Sequence, residues 1–295
     1  MKRETKVILV VCLVCFLILG GAGLKYFTGY EIHRDVAYGE SEANVMDIYI
    51  PKRAYRRENN GCVLFIHGGS WMGGDKAEEA IRCRLLASHG YIAATINYTL
   101  WSEEIVGEYT VFGVMDEIDQ AIATLKSFTN EREIEVDKAG ISGYSAGAHL
   151  AMLYAYARAE TAPMEIVFAA SMAGPANILA DIWGSELTTS IGMLLTSETM
   201  TEDMLSTGEA DELLSSISPV SYIDENAPPS IIFHGGNDLV VPIQNATSVV
   251  EKLETLGISH DFIYMKYGSH ALIENPFQHL TFLKTLLLYC EEYLR

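Results

Sequence analysis

Residues 140–150 read Gly-Ile-Ser-Gly-Tyr-Ser-Ala-Gly-Ala-His-Leu, and the central residues 143–147 have the form Gly-x-Ser-x-Gly around Ser145. Residues 136–141 have the composition of a strand, and residues 148–157 are strong helix formers. A serine at a sharp strand-to-helix turn projects its hydroxyl into a cleft, and flanking glycines leave room for the strained backbone. The stretch therefore predicts a nucleophile elbow. A plain glycine-rich turn is the alternative, and the rest of the sequence has to decide between them.

Apolar strand-like runs alternate with amphipathic helical runs along the rest of the chain. We predict strands at residues 32–38, 45–50, 62–66, 91–98, 139–142, 166–171, 230–234 and 260–265. We predict helices at residues 76–88, 111–129, 146–158, 244–256 and 276–294. The first two strands are typical of a hairpin, and the later alternation is typical of a parallel sheet with helices on both faces. A doubly wound α/β fold is expected.

Residues 176–217 depart from this alternation, because they form a long segment between two predicted strands with helical fragments rich in leucine and methionine. One interpretation is an ordinary helical insertion whose methionines fill gaps in the core. The other is a small cap over the active site that gives the substrate an apolar wall. Both interpretations stay open at the level of the sequence.

A base and an acid for Ser145 are expected at the ends of later strands, because a serine hydroxyl needs both to act as a nucleophile. Asp238 follows the strand at 230–234, and His270 follows the strand at 260–265. The order Ser, Asp, His places each partner one strand later than the last. We predict these three as the catalytic residues, and we interpret His149 as a packing residue and His234 as the buried end of a strand.

The segment after the strand at 62–66 is a candidate for stabilising the negative oxygen of a tetrahedral intermediate. It reads His67-Gly68-Gly69-Ser70-Trp71, and its glycines allow the backbone to approach a ligand closely. We predict an oxyanion hole formed by the backbone N–H groups of Gly68, Gly69 and Ala146. A plain turn at the end of a strand is the alternative.

From about Tyr30 to the C-terminus the chain resembles the α/β-hydrolase superfamily, and within it the carboxylesterases of the hormone-sensitive-lipase type and the feruloyl or acetyl esterase-like branch. The motifs that carry the resemblance are 143–147, 67–71, Gly74-Asp75-Lys76, Gly90-Tyr91 and Asn97-Tyr98-Thr99-Leu100. The chain departs from the lipase pattern at Ser70, Tyr144 and Ala148. The resemblance implies an α/β-hydrolase fold with a small helical cap, and it implies that Tyr98 lies near the cleft. We predict substrate contacts from Tyr98 and also from Trp71 and Tyr144. Trp71 and Tyr98 have a core-packing alternative.

Composition limits the partners that this chain can have. Its 295 residues include 20 Lys and Arg and 39 Asp and Glu. The resulting formal net charge of −19 argues against nucleic acid as a partner. Cys62, Cys83 and Cys290 are odd in number and scattered, so they indicate no disulfide framework, and no metal-ligand spacing occurs. We expect no cofactor and no metal, with a small-molecule ester as the partner. The sequence leaves the oligomeric state open.

The N-terminal 29 residues are predicted to form a separate targeting segment ahead of a catalytic domain at residues 30–295. Lys2, Arg3 and Lys6 precede the uncharged run 7–24, which as a helix spans about 27 Å, close to the thickness of a bilayer core. We expect a retained membrane anchor with the catalytic domain outside the cytoplasm, and secretion after signal cleavage is the alternative.

These features together predict a serine carboxylic-ester hydrolase that works through an acyl-enzyme on short-chain or sugar-linked esters. A peptidase of the prolyl-oligopeptidase kind would use the same triad, but such enzymes usually have a gating domain before this fold. A noncatalytic binding module tethered to the membrane is a third hypothesis, and it is disfavoured because all three triad residues are present.

Overall fold

The structure is a computed structural model that describes residues 29–295. The predicted N-terminal apolar helix over residues 7–24 lies outside the described residues. Within residues 29–295, no helix is long and apolar enough to cross a membrane.

One eight-stranded sheet runs through the molecule. Its strands are β1 (Tyr30–Ala37), β2 (Val45–Pro51), β3 (Asn60–Ile66), β4 (Ile92–Ile96), β5 (Val136–Tyr144), β6 (Glu165–Met172), β7 (Ser230–Gly235) and β8 (His260–Met265). Their spatial order is β1-β2-β4-β3-β5-β6-β7-β8. β2 pairs antiparallel with β1 and with β4, and all other pairs are parallel. The predicted hairpin and the mostly parallel sheet are confirmed.

Nine α-helices connect or cover these strands in the described part of the chain. They are α1 (Ala80–His89), α2 (Val111–Asn130), α3 (Ala146–Ala157), α4 (Ala180–Trp183), α5 (Ser185–Thr196), α6 (Glu202–Thr207), α7 (Asp211–Ser216), α8 (Gln244–Leu256) and α9 (Pro276–Tyr293). The helix predicted at 76–88 is split into a 3₁₀ turn at Lys76–Glu79 and α1. Asp75 caps this turn by accepting a hydrogen bond from the Ala77 N–H at 2.8 Å.

The central strands are buried on both sides, and β3 shows this most clearly. Leu64 and Ile66 belong to the core on the face covered by α2, α3 and α8. Val63 and Phe65 belong to the core on the opposite face, which α1 and α9 cover. Because parallel strands all point the same way, their carboxyl ends meet at one edge of the sheet, where loops can bring distant residues together.

β4 ends earlier than predicted, at Ile96 and not at Tyr98. The Asn97 side-chain oxygen accepts a hydrogen bond from the Lys76 N–H at 2.6 Å, and the Tyr98 hydroxyl donates to the His67 carbonyl at 3.2 Å. The Asn97 N–H still donates to the Val45 carbonyl of β2 at 3.0 Å, and beyond it the chain leaves the sheet.

The segment at 176–217 forms helices α4 to α7. Met200 is buried against Gly192 and fills a gap in the core, as the insertion hypothesis expects. Other side chains of α4 and α5, described below, line a cavity at Ser145, as the cap hypothesis expects. The segment therefore packs in the core through some residues and lies beside Ser145 through others, and its role as a wall for the substrate stays a prediction.

Candidate active site

Ser145 lies at the tight junction between β5 and α3. Its φ and ψ angles are 53° and −121°, a conformation that residues other than glycine rarely adopt. A Cβ atom at Gly143 would lie 2.2 Å from the Gly147 carbonyl oxygen, and one at Gly147 would lie 2.1 Å from the Ile66 carbonyl oxygen. Only glycine fits at either position. The structure therefore has the elbow that the sequence predicts.

The three predicted catalytic residues form one chain of hydrogen bonds. His270 Nε2 lies 2.9 Å from Ser145 Oγ, and His270 Nδ1 lies 2.7 Å from Asp238 Oδ2. A carboxylate only accepts hydrogen bonds, so Nδ1 carries the proton and the Nε2 lone pair faces the serine hydroxyl. This is the tautomer that a general base for Ser145 requires.

Asp238 is held as a carboxylate by the groups around it. Burial works to raise its pKa, but the hydrogen bond from His270 and the N–H groups of Val241 and Val240 outweigh burial and lower the pKa below its usual value. The two N–H groups lie 2.8 and 2.9 Å from Asp238 Oδ1. One carboxylate oxygen is therefore fixed by the backbone, while the other orients His270.

The side chain of His234 is buried next to the carboxylate of Asp238. Its Nε2 donates to the Val241 carbonyl at 3.0 Å and lies 3.5 Å from Asp238 Oδ2. Burial lowers the pKa of His234, so its ring is neutral near pH 7. The sequence interpretation as a buried strand end is correct, but it misses this contact. The spacing of four residues from Asp238 was the only signal for it.

Gly68 and Gly69 lie beside the elbow, as expected for an oxyanion hole. A Cβ atom at Gly68 would lie 3.2 Å from the Ser145 Cβ, and Gly69 has a φ of 113°. Among the described residues, no hydrogen bond uses the N–H of Gly68 or Gly69. Ala146 is the first residue of α3, where an N–H has no partner within its own helix. Gly68 and Ala146 are thus adjacent to Ser145, Gly69 follows Gly68 directly, and none of the three N–H groups has a backbone partner; their role as oxyanion donors stays a prediction.

Tyr98 packs against His67, the residue that follows β3. Its ring stacks on His67 with 4.6 Å between centroids, and its hydroxyl donates to the His67 carbonyl. Tyr98 is fully buried and is absent from the cavity wall at Ser145. These contacts are those of the core-packing alternative, next to the predicted oxyanion loop of residues 67–71, and the expected substrate contact stays a prediction.

Tyr144 also lies outside that cavity wall. Its hydroxyl donates to the His270 backbone carbonyl at 2.9 Å, and its ring lies 5.3 Å from the His270 ring. Tyr144 thus makes a contact that supports the base, and the expected substrate contact stays a prediction. No sequence signal pointed to it, because 126 residues separate the two positions.

Trp71 lines the cavity at Ser145, and its buried indole also joins a hydrogen-bond relay. Trp71 Nε1 donates to His149 Nδ1 at 3.3 Å, and His149 Nε2 donates to the Ile217 carbonyl at 2.8 Å. Burial lowers the pKa of His149 to about 4, so the ring stays neutral. The relay connects the oxyanion loop, the elbow helix and the end of the cap segment.

A cavity of about 510 Å³ opens directly at Ser145. One wall comes from α4 and α5, through Trp183, Leu187, Ile191 and Leu194. The loop after Asp238 forms another wall, through residues 239–241, and the loop at residues 70–72 closes a third side. Within residues 29–295, no cluster of three or more His, Cys, Asp or Glu side chains is arranged to hold a metal ion.

Comparison with solved structures agrees with this architecture. A truncated carbohydrate esterase from gut microbiota superposes with a TM-score of 0.72 at 18% identity, over 89% of this chain and 96% of that one. Thermogutta terrifontis esterase 2, in a form phosphorylated by paraoxon, superposes with a TM-score of 0.67 at 19% identity, over 90% of this chain and 94% of that one. At such identities the likeness shows the fold.

Curated sequences also resemble the chain. A probable carboxylic ester hydrolase, LipM of Mycobacterium tuberculosis, is 29% identical over 78% of this chain and 53% of its own length. A probable isoprenylcysteine α-carbonyl methylesterase of Arabidopsis thaliana is 24% identical over 87% of this chain and 55% of its own length. The chain thus spans just over half the length of these relatives. The sequence profile of the BD-FAE family matches residues 46–253, which include the elbow, the oxyanion loop and Asp238, and the chain therefore belongs to the BD-FAE family.

Proposed function

We propose that the protein is a serine carboxylic-ester hydrolase. The observation that carries this proposal is the hydrogen-bond chain from Ser145 through His270 to Asp238, with distances of 2.9 and 2.7 Å. The relatives named as carboxylic ester hydrolase and methylesterase support the same reaction class. Short-chain and sugar-linked esters are the substrate classes that we consider.

In the first half of the reaction, Ser145 Oγ attacks the ester carbonyl carbon while His270 Nε2 takes the hydroxyl proton. The carbonyl oxygen becomes negative and accepts hydrogen bonds from the N–H groups of Gly68, Gly69 and Ala146. When the tetrahedral intermediate collapses, the C–O bond to the alcohol breaks and His270 gives its proton to the leaving oxygen. The product of this half is an acyl ester on Ser145.

In the second half, water attacks the acyl carbon while His270 Nε2 takes a proton from it. Collapse of the second tetrahedral intermediate breaks the bond to Ser145 Oγ, which recovers its proton from His270. The carboxylic acid leaves. Asp238 stays ionised throughout and stabilises the positive charge that His270 carries in both steps.

Labelling with an organophosphonate tests this proposal. Incubation of the purified protein should stop hydrolysis of p-nitrophenyl acetate and place the adduct on Ser145, since its hydroxyl lies 2.9 Å from His270 Nε2, which is in turn oriented by Asp238. Mass spectrometry of a digest identifies the labelled residue. Ser142→Ala is a matched control, because Ser142 lies on the same strand with its hydroxyl buried. Labelling elsewhere, or none, contradicts the assignment.

We propose in addition that residues 7–24 anchor the protein in the membrane and that the catalytic domain, residues 30–295, lies outside the cytoplasm. The support is the basic Lys2, Arg3 and Lys6 ahead of the apolar run. The N-terminal sequence and intact mass of the protein from the membrane fraction test this. A mature chain that starts after residue 19 and is found in the medium supports secretion instead.

A further inference from the structure

The cavity at Ser145 has no charged side chain in its wall. A fifth of the residues of the chain are charged, yet Lys, Arg, Asp and Glu are all absent from the fourteen residues that line this cavity. Asp238 lies next to it, but its carboxylate is turned away toward His270 and the loop backbone. A charged substituent placed here would lose its hydration and gain no ion pair.

Hydrogen-bonding side chains are also scarce in the wall. Apart from Ser145 itself, the polar side chains are Ser70 and Ser190. The Ser190 hydroxyl already donates to the Glu186 carbonyl at 2.9 Å, within its own helix. A sugar ring carries several hydroxyl groups, and each one that is left without a partner in a closed site weakens binding. The wall is therefore poorly matched to a carbohydrate.

The apolar part of the wall has a defined shape. Leu187, Ile191 and Leu194 follow one another at spacings of four and three residues, which places them on one side of α5, and Trp183 is the last residue of α4. The Trp183 indole is held in place because its Nε1 donates to the Asn177 carbonyl at 2.8 Å. Ligand sites for small molecules have volumes of about 300 to 1,000 Å³, and the cavity of about 510 Å³ falls in this range.

The apolar surface continues beyond the mouth of the cavity. Leu239 is 96% exposed and Leu187 is 46% exposed, although both line the cavity. Met72 and Val240 line the same cavity and are also more than half exposed, and such a group of exposed apolar side chains beside a cavity is typical of a ligand-contact surface. A hydrocarbon group extending from the reacting ester toward the rim would cover these side chains.

We propose that the site selects esters in which one substituent is an uncharged hydrocarbon group packed against α4 and α5, in preference to sugar acetates and to esters with a charged substituent. This inference rests on the proposed function, because it specifies the substrate class of that same site. Binding of hydrocarbon here is driven by removing apolar surface from water, so specificity grows with chain length until the cavity is filled.

Two substrate series test this inference with the full-length protein. One varies the acyl chain from p-nitrophenyl acetate to octanoate, and the other varies the alcohol from methyl to octyl acetate. We expect kcat/KM to rise roughly fourfold per methylene over the first additions in one series, from the transfer free energy of a methylene group. An acetylated methyl xyloside should be hydrolysed more slowly than the alkyl acetates.

Leu187→Asn adds a specific test of the wall, since the side chain is partly exposed and its replacement should preserve the fold. We expect the variant to lose about fivefold or more in the ratio of kcat/KM for the longest to the shortest ester. Leu187→Ile should restore the ratio. Met193→Asn is the matched control, because Met193 lies on the same helix, is 44% exposed and is absent from the wall.

Three results would overturn the inference: equal kcat/KM along both series, faster hydrolysis of the acetylated sugar, or an unchanged ratio in Leu187→Asn. Failure of the proposed function gives a different pattern. In that case no ester of either series is hydrolysed and the organophosphonate leaves Ser145 unlabelled, so the substrate inference falls together with the function.

Discussion

At the scale of single residues, the geometry of the site depends on side chains that do not line the substrate cavity. Tyr144 supports the backbone of His270, and His234 stands 3.5 Å from the Asp238 carboxylate. A general base has to be held within hydrogen-bond distance of the proton that it takes. We therefore expect these two residues to act through the triad.

The variant Tyr144→Phe distinguishes a role in supporting the triad from a role in binding the substrate. Loss of the hydroxyl removes the hydrogen bond to the His270 carbonyl, so we expect kcat for p-nitrophenyl butyrate to fall by about three- to tenfold while KM stays unchanged. Steady-state kinetics measures both constants. Tyr267→Phe is the control, since Tyr267 is exposed and near the same loop. A raised KM with unchanged kcat would show instead that Tyr144 binds substrate.

At the scale of elements, the site is assembled where α3 meets β3 and β5. The helix can approach the end of β3 only because Gly147 has no side chain, as the Ile66 and His67 carbonyl oxygens lie 2.1 and 2.4 Å from the position of a Cβ atom. Those two residues lead directly into the oxyanion loop. Close packing at one glycine thus sets the distance between the nucleophile and the predicted oxyanion donors.

Gly147→Ala should therefore damage both stability and activity. The new methyl group has to push backbone atoms apart, so we expect a loss of about 1 to 3 kcal/mol in the free energy of unfolding and at least a tenfold loss in kcat. Urea denaturation and ester hydrolysis measure the two effects. Gly113→Ala is the matched control, because its Cβ would meet only Thr110 Oγ1 at 3.4 Å on an exposed helix turn. Equal behaviour of the two variants would contradict the packing argument.

At the scale of the whole molecule, buried neutral histidines make the free energy of unfolding depend on pH. His149 has a pKa of about 4 in the folded protein, against 6.5 as its ordinary value, because burial disfavours the charged ring. Above pH 6.5 neither the folded nor the unfolded chain protonates this ring. Between pH 6.5 and 4 the unfolded chain binds the proton and the folded chain does not, so acid favours unfolding.

We expect the free energy of unfolding to fall as the pH is lowered from 6.5 to 4, with a contribution from His149 of roughly 1 kcal/mol per pH unit. His149→Gln removes the titrating ring, so its stability should change less over the same window. Chemical denaturation at a series of pH values measures the slope. His89→Gln is the control, as His89 is exposed at the end of α1. Parallel slopes in the wild type and His149→Gln would refute this assignment.

Local patterns in the sequence were sufficient for much of the architecture. The periodicity of apolar residues predicts the hairpin, the parallel strands and the helices, because burial on one or both faces imposes a repeat that is visible in the chain. The Gly-x-Ser-x-Gly run predicts the elbow, because only glycine fits beside the strained serine. The positions of Asp238 and His270 after successive strands predict their meeting, because parallel strands end at one edge.

Tertiary structure decided the contacts between residues that are distant in the sequence. The pairing of Tyr144 with His270, the stacking of Tyr98 on His67 and the relay from Trp71 to Ile217 have no local signature. They arise when loops from different strands pack together, and burial then forces each polar group to find the nearest partner. The uncharged wall of the cavity has the same origin, because only the folded chain shows which faces of α4 and α5 point toward Ser145.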